Sequence, residues 1–146
     1  MTDVVDNATR SRMMAGIRGQ NTRPELAVRK VLHALGLRYR LHCKALPGKP
    51  DLVFPRFRAV VFVHGCFWHR HEGCRFTTMP ATRPDFWAQK FEQNVLRDQR
   101  ALAALDRLDW RIATVWECAI RKQGASEVGK KIQAWLTDSM GNLKIE

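Results

Sequence analysis

The chain has 146 residues, enough for one domain with a core of its own. Lysine and arginine outnumber acidic side chains 25 to 14, a net charge of +11. No stretch reaches the roughly 18–20 consecutive apolar residues of a membrane span, which excludes a chain crossing a bilayer on an apolar helix. A globular domain this basic points to a polyanionic partner, nucleic acid before acidic membrane.

The first twenty residues are polar and mixed in charge, unlike a secretory signal. "NTRPELAVRKVLHALG" then predicts a helix, with Thr22 as N-cap, Pro24 in the first turn and Gly36 ending it. Leu26, Val31, Leu32 and Leu35 supply its apolar stripe. "LRYRLH" alternates like a strand, "LPGKP" is a turn, and Asp51 to Phe54 is a second short strand. "RAVVFV", residues 58–63, is apolar enough to be buried on both faces. A long helix is predicted from about Pro84 to Leu108, with Phe86, Phe91, Val95, Leu102, Leu105 and Leu108 marking its buried side. "WRIATVWE" is a further strand, and Glu127 to Asp138 a last helix. Buried strand, long helix and apolar strand form a βαβ crossover, so strands 58–63 and 111–116 should pair in parallel. The order α-β-β-β-α-β-α predicts a mixed α/β sheet flanked by helices.

Between the two crossover strands lies the densest chemistry, "VFVHGCFWHRHEGC", residues 61–74. Cys66, His71 and Cys74 have the spacing C-x4-H-x2-C, and Cys118, just past the second strand, could complete a tetrahedron. Thiolates with one imidazole favour zinc, and four protein ligands leave no open position, so such a metal would be structural. The alternative is that Cys118 is a buried thiol and the other three are incidental. Clustered with histidines in a protein with no need of disulfides, these cysteines fit a reducing cytoplasm. His64 and His69 are left spare, beyond the carboxyl end of a buried strand, where α/β sheets usually bind ligands.

"GKPDLVF" sets Asp51 at the start of a strand, the layout of restriction-endonuclease-like nucleases, in which the aspartate binds Mg2+. The usual acidic residue and lysine on the following strand are absent. "FVHG" stands there, offering the Val63 carbonyl and the His64 imidazole. Histidine is a competent general base near neutrality. Glu25 has two readings: partner of Thr22 in a capping box, or a carboxylate holding a metal-bound water.

Taken together, "ATRSRMM", "LPGKPDLVF", "VFVHGCFWHRHEGC", "PATRPDFW", "NVLRDQR" and "WRIATVWECAIR" resemble the very short patch repair endonucleases, bacterial enzymes acting on T:G mismatches. These segments span residues 8 to 121. The resemblance implies a single restriction-endonuclease-like α/β domain over residues 1–146, with a DNA-clamping arm at 1–20 and a catalytic core at 21–140. It implies a Mg2+-dependent nick 5′ to the mismatched thymine in double-stranded DNA. By position, Asp51 and the Val63 carbonyl would bind Mg2+, while His64, His69 and Glu25 would contact its waters, with His69 as general base. Cys66, His71, Cys74 and Cys118 would hold structural Zn2+. Phe67, Trp68 and Trp87 would form an aromatic wedge beside the mismatch, and Arg10, Arg12 and Arg18 would contact phosphates. "HRHEGC" is one residue longer than the family pattern, leaving a second register in which His69 and His71 exchange roles. A cytoplasmic, nucleoid-associated monomer fits an asymmetric lesion, with other mismatch-repair proteins as further partners. Two alternatives share the chemistry: a nuclease of the same fold with another substrate, and a zinc-stabilised DNA-binding module without catalysis.

Overall fold

The computed structural model describes residues 22–146. Arg10, Arg12 and Arg18 of the expected clamping arm lie outside the described residues.

Helix α1 (Arg23–Ala34) begins as its sequence dictates, with the Glu25 N–H donating to Thr22 Oγ1 at 3.4 Å. Its buried side is Glu25, Val28 and Leu32, so of the expected stripe Leu32 is buried, Val31 and Leu35 are half-buried and Leu26 is 40% exposed. Strand β1 is only Arg40–Leu41. The expected strand over 37–42 loses His42 to a left-handed φ of 46°, and residues 37–39 lie before the first rung of the ladder, Arg40 opposite Val53. Strands β2 (Leu52–Phe54) and β3 (Ala59–His64) follow, joined by a 3₁₀ turn at Pro55–Phe57. Helix α2 (Cys66–His69) is a single turn that pattern alone does not predict. The long helix α3 (Pro84–Arg107) leads to β4 (Arg111–Trp116).

The expected last helix is present as α5 (Ala125–Asp138), and an unanticipated helix α4 (Glu117–Gln123) precedes it, separated from it by Gly124 with φ of 89°. A fifth strand, β5 (Leu143–Ile145), was not anticipated. The sheet order is β1-β2-β3-β4-β5, antiparallel through β3 and parallel from β3 to β5. The predicted crossover is therefore present, with Val60 opposite Ile112 and His64 opposite Trp116.

Side chains alternate across a strand, and the two faces of β3 meet different partners. Val60 and Phe62 pack with Val53, Ile112 and Leu105 of α3. Ala59 and Val61 pack with Ala113, Val115 and the apolar sides of α1 and α5. At Gly129 of α5 a Cβ would collide with Val31 of α1, so only glycine permits this close approach of the two helices. Phe86 and Leu108, expected on the buried side of α3, are 45% and 48% exposed. Phe91 and Leu105 do face inward.

Candidate active site

The carboxyl end of β3 organises three clusters, because consecutive residues there point in different directions. On the β2 side, the register 61↔52 continues to place Val63 opposite Pro50. Pro50 has no N–H to complete the ladder. Val63 instead donates its N–H to Asp51 Oδ2 at 2.7 Å. In an extended strand the carbonyl of a residue points to the same edge as its N–H, so the Val63 carbonyl faces this side with no rung opposite it.

Asp51 lies beside Glu25, which α1 presents 2% exposed. Glu25 Oε2 takes hydrogen bonds from His42 Nε2 at 2.8 Å and from Arg29 at 3.2 Å. Thr22 thus caps α1 as expected, but the Glu25 side chain is directed to His42 and Asp51 rather than closing the capping box. The ligand atoms of Glu25, His42 and Asp51 lie within 4.8 Å of one another. Burial pushes the Asp51 carboxyl up to about 7, and adjacent Glu25 adds to that push. The Val63 N–H and the charge of His69 act the other way. Two desolvated carboxyls in contact are the electrostatic signature of a cation site, and their oxygen donors suit a hard ion.

On the α3 side stands His64, 5% exposed, with its ring stacked on His69 at 3.8 Å between centroids and 3° between planes. Burial, then the charge of His69, holds His64 well below the ordinary imidazole range, so it is neutral at pH 7. His69 Nδ1 is 2.6 Å from Asp98 Oδ2, on α3. A hydrogen bond from Nδ1 to this carboxylate would fix the ring and its tautomer, leaving Nε2 as the nitrogen able to accept a proton. The pair borders a cleft of about 430 Å³ walled by α3, β4 and β5 residues including Gln99, Thr114, Trp116 and Lys144.

Beyond Gly65 the chain enters α2 and the third cluster. Cys66, His71, Cys74 and Cys118 present ligand atoms within 4.8 Å of one another. Cys118, in the first turn of α4, donates its N–H to Cys66 Sγ at 3.4 Å, and its own sulfur is 3.4 Å from His71 Nδ1. His71 stacks on Trp116 at 4.2 Å and meets Glu146 Oε2 through Nε2 at 3.0 Å. Burial pushes the Cys66 thiol up to about 12. At Cys74 burial also works upward but is outweighed by the Phe76 N–H and by His71, Cys66 and Cys118, which bring it down to about 7. Three thiols and an imidazole in this compass are the donor set of a closed tetrahedral metal site. In the described geometry His71 lies in the thiol cluster and His69 faces Asp98.

The loop so braced carries an aromatic cluster. Phe67 is 5.0 Å from Trp68, 6.2 Å from Trp87 and 5.1 Å from Phe91 between ring centroids. Trp68 is 8% exposed and backs the cluster, while Phe67 and Trp87 are half-buried at its surface. Phe86, next to Trp87, extends the surface outward. Asn94 of α3 fixes the Trp68 carbonyl at 3.2 Å, and Arg70 stacks 3.9 Å from the Phe91 ring centre. All the expected site residues from Glu25 to Cys118 are thus gathered around the β3 end. Asp98, His42 and Glu146 were missed. Asp98 is one carboxylate in the charged run "RDQR", His42 ends an apparent strand, and Glu146 is remote in sequence; none has a local signal.

Comparison with known proteins gives a consistent picture. The family model described as DNA mismatch endonuclease Vsr matches residues 2–75. The type II nicking enzyme V.XorIIP of Xanthomonas oryzae pv. oryzae is 53% identical over 87% of this chain and 93% of its own length. The DNA mismatch endonuclease Vsr of Escherichia coli is 39% identical over 100% of this chain and 95% of its own. The type II nicking enzyme V.NmeAIP of Neisseria meningitidis is 38% identical over 84% and 87% respectively.

Proposed function

The chain belongs to the DNA mismatch endonuclease Vsr family, and from that premise we propose that it nicks double-stranded DNA 5′ to the thymine of a T:G mismatch. Mg2+ at Asp51 is the catalytic ion and Zn2+ at the thiol cluster the structural one. The observation that carries the proposal is the convergence, at one end of β3, of a desolvated carboxylate pair and an imidazole already fixed by Asp98.

The residues present fit both ions. Asp51 and the Val63 carbonyl offer oxygen donors to Mg2+, with Glu25 alongside. Cys66, His71, Cys74 and Cys118 would supply all four ligands of a tetrahedral Zn2+ and leave none open for substrate, so zinc there would brace the loop. When bound, Mg2+ supplies charge neutralisation and Lewis acidity at the scissile phosphate.

The chain's own groups do the rest. His69 Nε2 removes a proton from the attacking water as its oxygen bonds to phosphorus, and the P–O bond to the leaving strand breaks, its oxygen taking up a proton from solvent. Asp98 stabilises the imidazolium that forms, and neutral His64, stacked on His69, keeps the ring from turning. Phe67, Trp68 and Trp87 supply rings to stack where the mispair is already weakened. A net charge of +11 gives affinity through phosphate contacts.

Strand-resolved cleavage of end-labelled duplexes tests this. Wild-type protein with Mg2+ should nick only the thymine strand of a T:G duplex, and Asp51→Ala should bind that duplex without nicking it. Equal cleavage of fully matched DNA would make the protein a restriction-type nuclease instead. Binding without cleavage by the wild type, with Mg2+ or Mn2+, would make it a non-catalytic module.

A further inference from the structure

His42 is used by none of the steps above, yet it is held in place from both ends. Its N–H donates to the Asp51 carbonyl at 3.1 Å, and its Nε2 lies 2.8 Å from Glu25 Oε2. Its side chain is 12% exposed, and its backbone sits at a φ of 46°, a region that residues with a Cβ seldom occupy. We infer that His42 Nε2 is a direct ligand of the cation at Asp51 and Glu25, making this a mixed nitrogen–oxygen site that favours Mn2+ over Mg2+.

The inference rests on the proposal that Asp51 holds a divalent ion, and adds a ligand to it. The ligand atoms of Glu25, His42 and Asp51 fall within 4.8 Å of one another, so side-chain shifts of under about 1 Å bring all three within the reach of one ion with bonds of about 2.1 Å. Glu25 Oε2 is already bonded to Arg29 at 3.2 Å, so turning the imidazole from Glu25 to an ion leaves that oxygen with a partner. An imidazole among carboxylates shifts preference from Mg2+, which takes oxygen almost exclusively, towards the transition metals. The other imidazoles near the β3 end are less suited. His69 commits Nδ1 to Asp98, and its face-to-face stack on His64 sets their nitrogens side by side rather than converging on one point. His71 belongs to the thiol cluster.

Pulsed EPR on the full zinc-loaded chain, with Mn2+ as the probe, reads the ligand directly. A coordinated imidazole modulates the Mn2+ spin echo through its 14N nucleus. Wild-type protein should show this modulation, His69→Gln should keep it, and His42→Gln should lose it. Mn2+ affinity should fall about tenfold in His42→Gln, with a smaller change for Mg2+. Bound Mn2+ without 14N modulation in the wild type would overturn the inference, as would modulation that survives His42→Gln. Asp51→Ala separates the two layers: if it still binds Mn2+ as tightly, the parent proposal fails. If it loses the ion while the wild type shows no nitrogen, only the role of His42 fails.

Discussion

The thiol cluster and the carboxylate cluster share the end of one strand and are built on opposite principles. The first gathers four soft donors, three of them from a nine-residue segment, and leaves no ligand position open. The second draws Glu25, His42 and Asp51 from separate elements and presses two carboxyls together under burial. A closed set contributes its binding energy to folding, while an open set keeps unfavourable charge for a substrate to use. The histidines sort between them by pointing direction: His71 joins the thiols, and His64 and His69 face α3.

Five substitutions would break or sharpen this division. His69→Ala should lower single-turnover nicking by about 10²–10⁴-fold with DNA affinity retained, and Asp98→Asn should lose less in the same assay. Equal losses in binding and turnover would assign these residues to substrate affinity rather than proton transfer. Cys118→Ser should lose stoichiometric zinc and roughly 10 °C of melting temperature, whereas Asp51→Asn should keep its zinc. Metal analysis beside a thermal melt shows whether the two clusters are independent.

Asp51→Asn should also stabilise the Mg2+-free protein in a pH-dependent way. The folded-state value of about 7 lies above the ordinary 3.8, so proton binding favours the folded state. The wild type pays no penalty below about pH 4 and a growing one up to about pH 8. The melting-temperature gain of Asp51→Asn should therefore be larger at pH 8 than at pH 5, and a gain independent of pH would contradict the desolvated carboxyl. The smallest effect belongs to Glu146→Gln. A carboxylate behind a histidine ligand orients it, so zinc affinity by chelator competition should fall roughly tenfold with little change in the zinc-saturated melt.

What the sequence made legible follows from range. The crossover was readable because β3 is an unbroken apolar run and α3 spans 24 residues, so both periodicities have room to register. The thiol set was readable because donor types and spacing are local, apart from Cys118. Strand β1 was over-extended because alternation in "LRYRLH" says neither where pairing begins nor that His42 has a left-handed backbone. Strand β5 is three residues, paired among the described residues only with β4, and too short for a pattern. Phe86 was placed inward by period, although the apolar surface it joins lies on the loop side of α3. Asp98 and His42 became visible only once the fold brought α3 and the β1 end to the same strand terminus.

Pro50 shows how a missing atom can define a site. Any other amino acid there would bring an N–H to the edge where the Val63 carbonyl lies. The ladder could then run one rung further, and that oxygen would be spent on the sheet. An imino acid immediately before Asp51 stops the zipper at the right tooth. That acceptor is thereby left to the metal ion proposed at Asp51.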